Sequence, residues 1–116
     1  MIETYISHGR HRSVGYKCNA SDRYIGRFRL YRKQGRYEIW SLEVDYPYRN
    51  KGHATQMLTE FLSKFKSTKP LVLYVTKGNK VAIHLYEKVG FVIIGEEDFR
   101  DGCVSLSAYK MQYKPA

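Results

Sequence analysis

At 116 residues, 43% of them apolar and 15% aromatic, the chain has the length of one domain and too much apolar content for a disordered polymer. No stretch reaches the roughly 20 apolar residues of a membrane span, and residues 1–7 lack the basic start and long apolar core of a secretory signal, so none is expected there. The net charge of +9 is uneven, +6 within residues 1–40 and +3 in the rest, which implies either an acidic partner or a strongly solvated surface. Cys18 and Cys103 have no partner at metal-site spacing; two reduced thiols in a cytoplasmic protein, with no metal and no membrane, are the expectation.

Residues 2–6 read as a short first strand and 8–12 as a polar connection. A second strand over 13–18 is closed by the turn-forming Asn19, Ala20, Ser21 and Asp22. From 24 to 32, Phe28 and Leu30 alternate with Arg27, Arg29 and Tyr31, the pattern of a strand with one buried face. Gln34 and Gly35 supply a turn, so 24–33 and 36–45 form an antiparallel hairpin. Plain alternation in its second strand puts Glu38, Trp40, Leu42 and Val44 on one face, with Ile39, Ser41 and Glu43 on the other.

The period changes at Gly52. Ala54, Met57, Leu58, Phe61, Leu62 and Phe65 recur at helical spacing and predict a helix over about 52–66. The apolar run 71–75 reads as a strand covered on both faces. Asn79 can cap a second helix, about 79–89, with Ala82, Leu85, Tyr86 and Val89 as its stripe and Gly90 after its end. Residues 91–94 read as a strand, 95–102 as an acidic, glycine-bearing loop, and 104–113 as the last strand. Antiparallel strands followed by strand–helix–strand–helix–strand–strand define an α/β (α+β) fold, a sheet with two main helices packed on it, in one domain over 1–116.

Two segments carry chemistry. Arg49-Asn50-Lys51-Gly52-His53-Ala54 follows a strand and opens a helix. Free N–H groups at a helix start, the helix dipole and two basic side chains would hold an anion there, although a plain strand-to-helix turn reads the same way. The second segment is Asn79-Lys80-Val81-Ala82-Ile83-His84-Leu85-Tyr86-Glu87-Lys88-Val89-Gly90-Phe91. It resembles the N-x-x-A-x-x-L-Y-E-K-x-G-F segment of the GCN5-related N-acetyltransferase (GNAT) superfamily. Residues 44–54 are similar to that superfamily's acetyl-CoA loop, V-x-P-x-x-R/Q-x-x-G-x-G/A, and the match covers about residues 36–95.

The resemblance implies a mixed, mostly antiparallel sheet and direct transfer of acetyl from acetyl-CoA to an amine. It implies that backbone N–H groups of Asn50, Lys51, Gly52, His53 and Ala54 hold the pyrophosphate, with Arg49 and Thr55 beside them. Leu42 and Val44, at a strand bulge, would bind the thioester carbonyl, and Asn79 and Ala82 would border the cofactor arm. Tyr86 would protonate the departing thiolate. Read from the residues alone, Tyr86 is as well a core aromatic and Asn79 a helix cap. The amine also needs a base; Glu43 and Glu38 rank nearly level, and a surface carboxylate is an equal reading of either. His53 and His84 read as surface side chains.

The chain departs from the superfamily where two helices usually follow the first strand. Only 17 residues separate Ile6 from Tyr24, without a helical period. An open acceptor side follows, or one walled by a second subunit in a homodimer. A protein or nucleic-acid-associated amine then fits better than a small one, and the basic strand with Arg27 and Arg29 suits an acidic acceptor. A non-catalytic module of the same fold, binding CoA, nucleic acid or a protein partner through its basic half, is the alternative.

Overall fold

The structure is a computed structural model that describes residues 1–17 and 23–115. Seven strands form one sheet in the order β1-β2-β3-β4-β5-β7-β6, with two helices: β1 (Ile2–His8), β2 (His11–Tyr16), β3 (Gly26–Lys33), β4 (Arg36–Val44), α1 (His53–Lys64), β5 (Leu71–Thr76), α2 (Lys80–Val89), β6 (Phe91–Asp101) and β7 (Val104–Tyr113). The expected mixed, mostly antiparallel sheet with two helices is what forms. Only β4 and β5 run parallel, as a helical crossover requires.

Three local expectations need correction. Residues 8–12 are not an open connection: β1 and β2 form a hairpin whose strands are joined at Gly9 and Arg10. Residues 95–102 are not a loop either, because β6 continues to Asp101 and turns back within two residues, at Gly102 and Cys103. Gly102 takes φ +63°, a conformation open to glycine at little cost, and cross-strand pairing along β7 overrides the polar composition of the segment. The turn expected at 19–22, with Cys18, lies outside the described residues.

The third correction concerns faces. Between the Arg27/Glu43 and Arg29/Trp40 pairs, β3 advances two residues while β4 advances three. This is a β-bulge at Ser41 and Leu42, and Ser41 sits at φ +58°. The extra residue reverses the alternation. Ile39 and Val44, five apart, both enter the core, whereas Glu38 and Glu43 both pair with residues on the other face, Tyr31 and Arg27. Plain alternation had put Glu38 with Val44, and the bulge separates them.

Both helices contribute to one core against one face of the sheet. Met57, Leu58, Phe61 and Leu62 of α1 and Ile83 and Tyr86 of α2 join Phe28, Leu30, Ile39, Leu73 and Met111. Phe28 meets Phe61 edge-on, with ring centroids 4.9 Å apart. On the opposite face, Trp40, Tyr74 and Phe99 pack against one another at 5.3–6.4 Å, and all three are half-buried. No helix lies between β1 and β2 to cover that face. Among the described residues, no helix is long and apolar enough to cross a membrane.

Candidate active site

The site begins where two strands part. β4 and β5 are in register only from Tyr37/Leu71 to Ile39/Leu73, yet β4 runs on to Val44 and β5 to Thr76. Beyond Ile39 a wedge therefore opens between them. Val44 lies on its edge. The Asp45 N–H donates to the Ile25 carbonyl at 2.8 Å, which makes Gly26/Val44 a non-bonded pair in the antiparallel alternation. The N–H and C=O of Val44 accordingly point away from β3, toward the wedge. The Val44 carbonyl accepts from Arg49 Nε at 2.7 Å, so the first basic side chain of the loop ties the loop to the strand.

The loop then builds an uncapped helix start. Pro47 lies in a short 3-10 turn (Tyr46–Tyr48). Asn50 and Gly52 both take positive φ, +60° and +82°, and Gly52 occupies the N-cap of α1 without any side-chain acceptor. Left-handed residues interleaved in this way turn successive N–H groups into one concavity. The first intrahelical bond runs from the Gln56 N–H to the Gly52 carbonyl, so the donors of His53, Ala54 and Thr55 lie ahead of it. His53 is not the surface residue its sequence position suggests. Its ring lies against Tyr16 and Tyr48, centroids 5.9 and 6.3 Å away, and its buried Nδ1 has no hydrogen-bond partner. An orphaned polar atom beside unsatisfied N–H groups is the local signature of an anion or polar ligand site. The loop fits a pyrophosphate.

A cleft of about 620 Å³ joins these groups. It is lined by Leu42 and Val44 of β4, by Gly52 to Thr55, and by Asn79, Ala82 and Tyr86 of α2. Asn79 Oδ1 accepts from the Ala82 N–H at 3.1 Å; the helix-cap reading therefore holds, and the cap fixes the start of α2 against the cleft. Tyr86 is 9% exposed, packs its ring 6.0 Å from Phe91, and has its phenol held above the usual range by burial. It is both a stripe residue and a cleft residue. His84, as expected, is exposed.

The two carboxylates stand on the helix-free face. Glu38 is 3% exposed, with Oε2 accepting from Arg36 Nε and Oε1 from Trp40 Nε1, both at 2.7 Å. Glu43 is exposed, and its Oε1 accepts from Arg27 Nη1 at 3.0 Å. The same nitrogen bonds Asp45 at 2.9 Å. This hydrogen bond holds the Asp45 carboxyl below its ordinary range. Arg27 thus anchors the end of β4, a role the sequence did not signal because alternation alone marks it as one more exposed arginine. Its charge is matched by two carboxylates, so it does not contribute to an open basic surface.

Residues 2–91 match the family described as "Acetyltransferase (GNAT) family". The chain belongs to this family. No protein of curated function matches it. Among solved structures it is similar to a chimera of the spermidine N-acetyltransferase SpeG from Vibrio cholerae with hSSAT, at 22% identity and TM-score 0.76, over 90% of this chain and 69% of that one. It is also similar to Arabidopsis thaliana NAA60 solved with a bisubstrate analogue, at 19% identity and TM-score 0.72, over 90% and 75%. A third similar structure is the IAA acetyltransferase of Bacillus cereus, at 18% identity and TM-score 0.71, over 90% and 77%. At these identities the likeness is one of fold.

Proposed function

We propose that the protein is an acetyl-CoA-dependent N-acetyltransferase whose acceptor is an amine on a macromolecule. The observation that carries this reading is the convergence of three features on one cleft: the parted strands at Val44, the uncapped start of α1, and the buried hydroxyl of Tyr86. Acetyl-CoA supplies the acetyl thioester. The N–H groups of residues 50–54 hold its pyrophosphate, with the α1 dipole behind them. The Val44 N–H, fixed in direction by the β3–β4 ladder, donates to the carbonyl oxygen as charge builds there. Tyr86, kept neutral by burial, retains a proton to give to the leaving sulfur.

The acceptor approaches from the other side of the wedge. Glu43 and Glu38 share that face with Trp40, and it carries no helix. Of the two, Glu43 has an oxygen that no described residue bonds and stands one residue from Val44. It is the better base, whereas Glu38 has both oxygens occupied. The uncovered face supports a large acceptor over a small one that would need enclosing.

Acetyl-CoA at millimolar concentration should raise the melting temperature, since a ligand that binds only the folded state stabilises it. Incubation with candidate proteins, nucleic acids and polyamines should then leave an acetyl adduct, about 42 Da by mass, on an amine of one of them. No thermal shift at saturating acetyl-CoA would sink the reading.

A further inference from the structure

The strongest concentration of unmatched charge lies at the opposite end of the molecule from the cleft. The starts of β4 and β5, the end of α1 and the turns joining β1 to β2 and β3 to β4 meet there. The Arg32 N–H donates to the Arg10 carbonyl at 2.6 Å and the Tyr37 N–H to the Pro70 carbonyl at 2.8 Å, which locks these segments together. Two clefts of about 390 and 230 Å³ open on this end, and both are lined by Arg10 and Arg32. Arg12, Lys64 and Lys66 line the larger, Lys33 and Lys69 the smaller. Seven cations thus line the pair, and among the described lining residues there is no Asp or Glu. Among the described residues, Lys64 alone of the seven has a carboxylate within ion-pair reach, Glu60 at 3.5 Å, and Glu60 also binds the N-terminal amine.

Three of the seven, Lys64, Lys66 and Lys69, come from outside the basic first 40 residues. The fold thus joins these three with four cations of the basic first 40 residues, Arg10, Arg12, Arg32 and Lys33. Rings are interleaved with the charges. Tyr37 and Phe65 line the larger cleft edge-on to each other at 5.2 Å, and His11 lines it while stacking on Tyr31 at 5.0 Å and 27°.

We infer that this end binds the backbone and bases of a single-stranded nucleic acid. Cations spaced along two adjoining clefts follow successive phosphates, and the half-buried rings of His11, Tyr37 and Phe65 beside them offer bases an aromatic contact surface. An acidic peptide would use the charge but not the rings. An anionic membrane would need exposed apolar side chains around the charges, and the large exposed hydrophobics among the described residues, Met1, Tyr46, Val81, those at 92–94, Val104 and Leu106, line neither cleft. The twelve residues of α1 separate the two sites by about 18 Å, at 1.5 Å per residue. Occupancy of one therefore leaves the other accessible.

The test is fluorescence anisotropy of a short labelled polyuridine RNA with the whole chain and no acetyl-CoA. Affinity should fall with salt, with a log–log slope of about −0.7 per phosphate contacted. The double variant Arg32→Glu, Lys66→Glu should bind more than tenfold more weakly with a slope shallower by about 1.4, two phosphates at that same increment. Its thermal shift with acetyl-CoA should be unchanged, which also reports folding. Lys66→Gln with Lys69→Gln, both in the loop after α1, should weaken binding in the same direction without touching any strand. Arg100→Glu, a single charge reversal on β6 away from this end, should bind as the parent does. Equal loss from Arg100→Glu, salt-independent binding, equal binding of a duplex, or competition by polyglutamate as effective as by unlabelled RNA would each overturn the inference. None of these outcomes bears on acetyl transfer.

Discussion

Replacing Tyr86 by Phe removes one oxygen from a side chain that is 9% exposed and lies in the α2 stripe. The ring keeps its contact with Phe91, and no described residue bonds the hydroxyl. Stability should therefore change by less than about 1 kcal/mol, within the range of volume-conserving core changes. If the hydroxyl protonates the leaving sulfur, turnover should fall about 10²- to 10⁴-fold, the usual worth of a positioned acid. At 1.36 kcal/mol per tenfold that is about 3–5 kcal/mol of barrier. Steady-state release of free thiol from acetyl-CoA gives kcat, and a titrated thermal shift gives cofactor affinity, which should stay within about threefold because one hydroxyl contact is at stake. The pH profile separates a chemical from a structural role. Burial raises the Tyr86 pKa above its ordinary value of 10.0, so the acid form persists through neutral pH and is lost only in strongly alkaline solution. The parent rate should fall there, and the variant should lack that limb. Full turnover by Tyr86→Phe, or a loss matched by a fall in melting temperature, would reduce Tyr86 to a packing residue.

The two carboxylates should separate cleanly. Glu43→Gln should lower turnover about 10²-fold or more with a stability change under about 1 kcal/mol, as for other exposed ion pairs. Glu38→Gln should instead cost about 1–3 kcal/mol in urea unfolding, because it weakens two charge-assisted bonds to a buried carboxylate; the reverse pattern would exchange their roles. Asn79→Ala removes the cap on α2 and should cost about 0.5–2 kcal/mol, read from the same denaturation curve. Phe61→Ala, at the centre of the core against Phe28, should cost about 3–5 kcal/mol. Asp45 is held below its ordinary value of 3.8 by Arg27. Its stabilisation is thus present above that value and is lost as pH falls through the lower, folded-state pKa. Arg27→Gln should flatten the acid side of a stability–pH curve, and an unchanged acid limb would remove Arg27 as its cause.

The donor side of the site was legible because its signals are local. Gly52 and Ala54 at a helix start, Asn79 as the cap of α2 and Tyr86 on its stripe fix their own backbone and spacing, and all four line one cleft. The acceptor side was not, because a single bulge decides it. The alternation of Ile39-Trp40-Ser41-Leu42-Glu43 does not announce an extra residue; only the family resemblance implies a bulge near Val44, and it does not say which faces the carboxylates take. The same limit applies to β6. Its acidic residues 96–98 read as loop in isolation and become strand only because β7 pairs with them along their length. The cationic end was hidden for a related reason, since its residues come from four segments that only the fold brings together.

The bulge at Ser41 has a consequence for how this strand can change over evolutionary time. Its side chain is exposed, so many substitutions there should be tolerated, and Ser41→Gly or Ser41→Asn should even relax the positive φ. Deleting the residue is a different event. It would leave Ile39 and Val44 four apart, on one face under plain alternation, so Val44 stays in the core and Glu43 on the opposite face while the bulge itself is lost. What the extra residue sets is therefore the local bend and twist of β4 where it parts from β5, and either length of the strand is compatible with the same two faces.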